Sequence, residues 1–146
     1  MPSDIIKHVS EHLEFLGYKV TKDEEEASYE RFLVEPFTED ARKLSFSIVE
    51  TEAGPYFLAG FPVSSSVEKD PLGLLQLLNE ANIEAYVAKF TWNREKDGLF
   101  AEGCYSPVYD KRIFASFITT WLNEVAFFFS SKTPHLRNYL RAPAEE

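Results

Sequence analysis

Apolar residues recur at intervals of three and four in the last third of the chain, between Asp110 and Ser130. The apolar positions are Phe114, Phe117, Ile118, Trp121, Leu122, Val125, Phe128 and Phe129. At about 100° per residue they fall on one side of a helix, and small polar side chains occupy the other side. The pattern predicts a long helix that packs on a large flat surface, and a sheet is the expected partner.

Capping residues indicate two further helices. The first begins at Ser3 or Asp4, whose side chains can accept hydrogen bonds from free backbone N–H groups, and it ends at Gly17. The second begins where Asp70 precedes Pro71, because proline is favoured at the first helical position. The spacing of its apolar residues predicts a buried stripe of Leu74, Leu77, Leu78 and Ala81.

Alternating apolar and polar residues, bounded by turn residues, predict five strands. The first covers Arg31–Phe37, and Leu44–Val49 forms a hairpin with Tyr56–Val63 across an Ala-Gly-Pro turn. A second hairpin joins Ala85–Trp92 to Leu99–Tyr105 across an Asp-Gly turn. The predicted fold is therefore α+β, a two-layer domain in the order α-β-β-β-α-β-β-α with an antiparallel sheet packed by helices.

Two segments lack apolar periodicity. Residues 19–28 are polar and include the acidic run Asp23–Glu26, which we interpret as a solvated loop because no calcium-binding loop pattern surrounds it. The last residues of the chain are interrupted by prolines and show little periodicity. The sequence thus predicts one domain over residues 1–130 and a C-terminal tail over residues 131–146.

Composition narrows the class of protein. A chain of 146 residues, 45% of them hydrophobic, is long enough for a globular core without disulfides or a structural metal. Its formal net charge of −9 repels phosphate backbones and anionic membrane surfaces, so we expect no nucleic-acid partner and no membrane association. The sequence shows no signal-peptide pattern and no apolar stretch of the ~18 residues that a membrane span requires. With Cys104 as the single cysteine, we expect a cytoplasmic protein.

Candidate chemistry is sparse. His8, Glu11 and His12 match the H-x-x-E-H pattern, in which two helical histidines bind zinc and the glutamate activates water, but such a site needs a third ligand from elsewhere. Cys104 lies within a predicted strand and is predicted to be an inert core thiol. The sequence contains no nucleophile elbow, P-loop, dinucleotide-binding glycine pattern or C-x-x-C pair. We therefore predict no catalytic, cofactor-binding or metal-binding residues, and hence no enzyme.

Three apolar side chains lie outside the predicted buried stripes. Leu72 and Leu75 project roughly 100° or more away from the centre of the stripe of the second helix, where either the loop over residues 64–69 or a subunit interface would cover them. Phe127 lies among the polar positions of the last helix. Either a partner or the tail covers it, because Leu136, Tyr139 and Leu140 have the spacing of a short amphipathic turn. These three residues are the predicted interaction sites.

The order of elements resembles that of the YbjN-like proteins, which share the fold of type III secretion chaperones. The segments that support the resemblance are LLQLLNEAN, AKFTWN, GLFAEGCYSP and DKRIFASFITTWLNEVAFFF. It implies a domain without catalytic residues or cofactor, commonly a homodimer, whose surface holds an extended or helical segment of another protein. In the chaperones part of the second helix is buried between subunits, which is the region of Leu72 and Leu75. Members of the YbjN-like group are described as candidate regulators.

These observations favour a non-enzymatic protein-interaction module, chaperone-like or regulatory, that acts as a homodimer. The alternative is a small metal-binding protein or hydrolase that uses His8, Glu11 and His12. The sequence identifies no partner protein.

Overall fold

Three helices and six strands are found in the computed structural model, which describes residues 4–22, 30–37, 44–63, 70–93 and 98–131. The helices are α1 (Asp4–Phe15), α2 (Pro71–Glu84) and α3 (Lys111–Ser131). The strands are β1 (Tyr18–Lys22), β2 (Arg31–Pro36), β3 (Phe46–Thr51), β4 (Gly54–Pro62), β5 (Lys89–Asn93) and β6 (Gly98–Cys104). The predicted α+β class is confirmed. Residues 132–146 and the acidic run at residues 23–26 lie outside the described residues.

The strands form one antiparallel sheet in the order β1-β2-β3-β4-β6-β5. Both predicted hairpins are confirmed, since Thr51 pairs with Gly54 in the first and Asn93 pairs with Gly98 in the second. The turn of the first hairpin depends on Gly54, whose φ of 117° is in the left-handed region. A Cβ atom at this position would lie 2.3 Å from the carbonyl oxygen of Tyr105, so only glycine fits.

One strand was missed in the sequence. Residues 19–22, predicted as part of a polar loop, belong to β1, and its pairing with β2 aligns Val20 with Val34. Tyr18 is buried whereas Lys19 is exposed, so the alternation is that of an edge strand with few apolar residues. The order of elements is therefore α-β-β-β-β-α-β-β-α, with one strand more than predicted.

Helices α2 and α3 begin at aspartate caps. The Asp70 carboxylate accepts a hydrogen bond from the N–H of Gly73 at 3.1 Å, as predicted from the Asp-Pro pair. The Asp110 carboxylate accepts two hydrogen bonds of 3.0 Å from the N–H groups of Arg112 and Ile113. None of the helices in the described part of the chain is long and apolar enough to cross a membrane.

The chain divides into two compact units, and β4, β6 and α3 each contribute residues to both. Unit 1 contains residues 1–59 and 103–119, and unit 2 contains residues 60–102 and 120–146. The core of unit 1 is aromatic: the ring of Phe57 lies 5.1 Å from that of Phe117 and 6.1 Å from that of Phe114. These contacts hold the first half of α3 on β4.

The core of unit 2 is also aromatic, and the second half of α3 contributes to it. The Phe90 and Phe128 rings lie 4.4 Å apart, and the Phe61 and Phe129 rings lie 3.8 Å apart. Trp121, also in this half of α3, is fully buried. The predicted helix over residues 110–130 is therefore confirmed, and its apolar side is buried on strands as expected.

Candidate protein-interaction surfaces

All three side chains singled out from the sequence are exposed. The exposed fractions are 65% for Leu72, 49% for Leu75 and 58% for Phe127. All three belong to unit 2. The two leucines lie on α2, whereas Phe127 lies on α3 and lines a groove to which neither leucine contributes.

The apolar residues Leu72, Leu75 and Ile83 lie on the exposed side of α2, with the exposed Asn79 among them. We refer to these three apolar residues as the apolar stripe of α2. Ile83, which the sequence reasoning missed, is 74% exposed. At about 100° per residue, the three side chains fall within roughly 80° of one another and point away from the buried residues Leu74 and Leu78. A helix with apolar residues on two opposite sides requires a second partner, or leaves one of them in water.

Phe127 lines a groove of about 340 Å³ in unit 2. Its lining comes from the end of α2, the connection to β5 and the second half of α3, and consists of Ala81, Glu84, Ala85, Tyr86, Phe90, Thr120, Asn123, Glu124, Phe127 and Phe128. The rings of Phe90 and Phe128 form the buried wall of the groove, whereas the rings of Tyr86 and Phe127 are exposed at the surface. Tyr86 is 94% exposed, more than any other large hydrophobic side chain described. We refer to this feature as the Phe127 groove.

The side chain of Glu124 fixes the wall of the Phe127 groove that contains Tyr86. Its carboxylate accepts hydrogen bonds from three successive backbone N–H groups, those of Tyr86, Val87 and Ala88. The distances are 2.8 Å for Val87 and 2.9 Å for Ala88, both to the same carboxylate oxygen. Hydrogen bonds to a charged acceptor are roughly twice as strong as neutral ones, so the connection is held firmly to α3.

This arrangement explains a difference from the predicted secondary structure. The alternation of Tyr86, Ala88 and Phe90 predicts a strand that begins at Ala85, but β5 begins at Lys89. The N–H groups before Lys89 bind Glu124 instead of a neighbouring strand. Tyr86 is therefore at the surface and not on the buried face of the sheet.

Asn82 protects the outer edge of β5 next to the groove. Its side-chain amide donates to the carbonyl oxygen of Phe90 at 2.9 Å, and its side-chain oxygen accepts from the N–H of Phe90 at 2.7 Å. The amide thus replaces one residue of a neighbouring strand. Together, Asn82 and Glu124 connect α2, α3 and β5 around the Phe127 groove.

A second groove lies in unit 1, between α1 and the strands β1 and β2. It has a volume of about 290 Å³, and its lining includes Lys7, Glu11 and Lys22 as well as the buried residues Ile6 and Phe32. Charged side chains of both signs lie at this groove, and none of the strongly exposed rings in the described part of the chain lines it. The Phe127 groove is therefore the better candidate for binding apolar groups.

The two histidines of the H-x-x-E-H pattern contact aromatic rings in unit 1. His8 stacks on Tyr109 with 4.9 Å between ring centroids, and His12 meets the edge of Phe114 at 5.0 Å. His12 Nδ1 also lies 3.4 Å from the hydroxyl of Tyr109. Among the residues described, no three histidine, cysteine, aspartate or glutamate side chains are grouped as a metal site would require. His135, the third histidine of the chain, lies outside the described residues.

Burial shifts the pKa values of both His12 and Tyr109. The pKa of His12 is lowered, first by burial and then by the nearby positive charge of Lys111. The pKa of Tyr109 is raised, mainly by burial. The neutral forms of both side chains are therefore favoured, which suits ring packing.

Cys104 is exposed, so the prediction of a buried core thiol is wrong. In β6 the alternate residues Leu99, Ala101 and Gly103 are buried on one face, and Cys104 is directed to the opposite face, as is Glu102. The Cys104 thiol donates a hydrogen bond of 3.6 Å to the backbone carbonyl oxygen of Tyr105. Burial raises the pKa of Glu102, which accepts a 2.8 Å hydrogen bond from the hydroxyl of Thr91.

No protein-family model matches the chain, and no curated protein matches its sequence. Among solved structures, it is similar to the crystal structure of YbjN from E. coli, which is described as a putative transcription regulator. The TM-score is 0.68, and the match covers 97% of this chain and 97% of that chain. The chain has the YbjN-like fold. The YbjN-like fold expected from the resemblance is confirmed, and at 16% sequence identity the likeness shows the fold alone.

Proposed function

We propose that this chain is a non-enzymatic interaction module that binds an apolar segment of another protein in the Phe127 groove and pairs with a second copy through α2. The observation on which this rests is the pair of large rings, Tyr86 and Phe127, that stand exposed at the rim of an apolar groove. Exposed rings beside a concave apolar surface are typical of a binding site. The description of the structurally similar YbjN as a putative transcription regulator supports a regulatory role.

The negative charge of the chain favours a bound segment with basic residues beside its apolar ones. Glu84 and Glu124 line the groove, no basic side chain does so among the residues that the structure describes, and the whole chain has a formal net charge of −9. A segment with aromatic or aliphatic residues at intervals of three and four, and with lysine or arginine beside them, fits both the rings and the charge.

The apolar stripe of α2 suits a second copy of the same helix. Leu75 and Ile83 each lie four residues from Asn79, on opposite sides of it. If two α2 helices pack antiparallel about Asn79, Leu75 of each contacts Ile83 of the other, as an isologous interface requires. Leu72 then extends the apolar contact at each end.

The alternative of a metal-dependent hydrolase has less support. His8 and His12 are packed against Tyr109 and Phe114, and the pattern lacks a third ligand among the residues described. Metal analysis of protein purified without a histidine tag tests this alternative directly. Stoichiometric zinc would favour it over the interaction module.

Peptide selection tests the groove. A random library of displayed peptides is selected on the chain, and the enriched peptides are synthesised and measured by fluorescence anisotropy. We expect enrichment of paired aromatic or aliphatic residues flanked by lysine or arginine, and a loss of at least about tenfold in affinity with Phe127→Asp. Ile113→Asp, which alters an exposed apolar residue of α3 in unit 1, is the matched control and should bind normally. Equal binding to both variants would contradict the proposal.

A further inference from the structure

The backbone that borders the Phe127 groove has already used its N–H groups. Along residues 85–88, Ala85 donates to the carbonyl oxygen of Ala81 at 2.9 Å, and the next three N–H groups donate to the carboxylate of Glu124. The walls on α2 and α3 bond within themselves, because each N–H in the interior of a helix donates to the carbonyl four residues earlier. A bound segment must therefore be held by side chains.

The outer edge of β5 is closed at the residue that lines the groove. Both backbone groups of Phe90 are bound by the side-chain amide of Asn82, so they point away from β6. The backbone groups of Lys89 then point to β6, where Glu102 is its partner in register. Every N–H over residues 85–90, all of which the structure describes, thus has an internal acceptor or faces β6. Strand addition, which depends on main-chain hydrogen bonds along an open edge, is disfavoured here.

An extended segment would lie on the apolar lining with its own backbone groups unpaired. Those groups would lose water as the segment covered the rings of Tyr86 and Phe127, and a polar group without water or a partner is unfavourable. A helix pairs its backbone groups internally and presents only side chains to the groove. Its apolar residues at i, i+3 or i+4 and i+7 extend over about 10 Å, and the part of α3 that lines the groove, from Thr120 to Phe128, is about 12 Å long.

The electrostatics of the groove select the charge of such a helix. Glu84 is the last residue of α2, where the negative end of the helix dipole adds to its carboxylate, and the last turn of α2 contains no basic residue. Glu124 contributes a second carboxylate to the lining. Lysine or arginine beside the apolar face of a bound helix is favoured at this end of the groove, and an acidic helix is repelled.

We propose that the segment bound in the Phe127 groove is a basic amphipathic helix of about two turns, held by its side chains without main-chain hydrogen bonds to the groove. This inference rests on the proposed function, because it specifies the conformation and the charge of the segment assigned to that groove.

Nuclear magnetic resonance of a bound peptide tests the conformation. A peptide selected on the groove is labelled with carbon and nitrogen isotopes, and its Cα chemical shifts are compared in the free state and bound to the full chain. We expect the bound shifts to move to helical values over about seven residues. Movement to extended values would overturn the inference and leave the proposed function intact. If the selected peptides bound the full chain and Phe127→Asp equally well, the proposed function would fail, and this inference with it.

A matched set of peptides gives a second measurement by fluorescence anisotropy. A central residue on the polar side of the peptide is replaced by proline in one version and by alanine in the other. Proline should weaken binding by at least about tenfold, because it breaks a helix but is tolerated in an extended chain, and alanine should not. A covalent bridge between polar side chains four residues apart should strengthen binding by at least about threefold, since it raises the fraction of helix before binding. Equal affinities of the proline and alanine peptides would contradict a helical occupant.

Discussion

Removing the carboxylate of Glu124 should destabilise unit 2 more than its partial exposure suggests. Glu124→Ala deletes three hydrogen bonds at once, to the N–H groups of Tyr86, Val87 and Ala88. The first bond is exposed and the other two are partly buried. Water replaces the carboxylate at Tyr86 but replaces it poorly at Val87 and Ala88, so most of the loss comes from the two partly buried bonds.

The size of the loss follows from these contacts. Each partly buried bond to a charged acceptor contributes about 1 to 1.5 kcal/mol, and the exposed one is counted as zero, so the free energy of unfolding should fall by about 2 to 3 kcal/mol. With a slope of about 1.5 to 2 kcal/mol per molar urea, the midpoint should fall by about 1 to 2 M. In Glu124→Gln the free energy of unfolding should fall by about half as much as in Glu124→Ala. One carboxylate oxygen accepts both partly buried hydrogen bonds, and the amide of glutamine retains an oxygen at that position.

Urea unfolding monitored by tryptophan fluorescence, which comes from Trp92 and the buried Trp121, measures this loss. Asn123→Ala is the matched control, since it truncates the neighbouring exposed side chain on the same helix. Amide hydrogen exchange should show faster exchange at Val87 and Ala88 in Glu124→Ala. The reasoning would be refuted if Glu124→Ala lost no more stability than Asn123→Ala, with exchange at these two amides unchanged.

Three further predictions test the turn at Gly54, the environment of His12 and the environment of Glu102. Gly54→Ala places a Cβ atom against the backbone at a positive φ, so it should lower the free energy of unfolding in urea by more than about 2 kcal/mol. Gly73→Ala, within the first turn of α2, should instead raise this free energy by about 0.5 to 1 kcal/mol. Equal effects of the two substitutions would contradict the steric argument. Because the pKa of His12 is lowered from 6.5, the unfolded chain binds the proton first as the pH falls. The free energy of unfolding should therefore drop as the pH falls below 6.5, and it should drop less steeply in His12→Gln. Parallel pH profiles for the two proteins would refute this. Burial raises the pKa of Glu102 from 4.5, so the charged form is disfavoured in the folded chain: Glu102→Gln should be at least as stable at neutral pH, and its advantage should disappear as the pH falls through the raised pKa. A variant that is less stable at neutral pH would show that the charge itself is needed.

The sequence was informative wherever one helix or hairpin determines its own pattern. The long apolar stripe of α3, the Asp-Pro start of α2 and both hairpins follow from periodicity and capping alone. Strand β1 was missed because only Tyr18 and Val20 alternate with polar residues there, and an edge strand of this kind depends on pairing with β2. Cys104 was misplaced because one residue of register decides which face of β6 it occupies.

The candidate site was predictable only in part. Helical geometry alone gave the outward direction of Leu72, Leu75 and Phe127, since each lies off the buried stripe of its own helix. The groove itself was not predictable, because it depends on Glu124 binding a connection nearly forty residues earlier in the chain. A run of alternating residues from Tyr86 to Phe90 indicates a strand until that contact is known.

The solution mass across a dilution series tests most directly whether these exposed surfaces are interaction surfaces. Light scattering should give about twice the 16.8 kDa chain mass for the unchanged protein. Leu75→Glu should give a single-chain mass, because it places a charge in the apolar stripe of α2, and Ile113→Glu should leave the pair intact. A single-chain mass for the unchanged protein at every concentration would contradict pairing through α2.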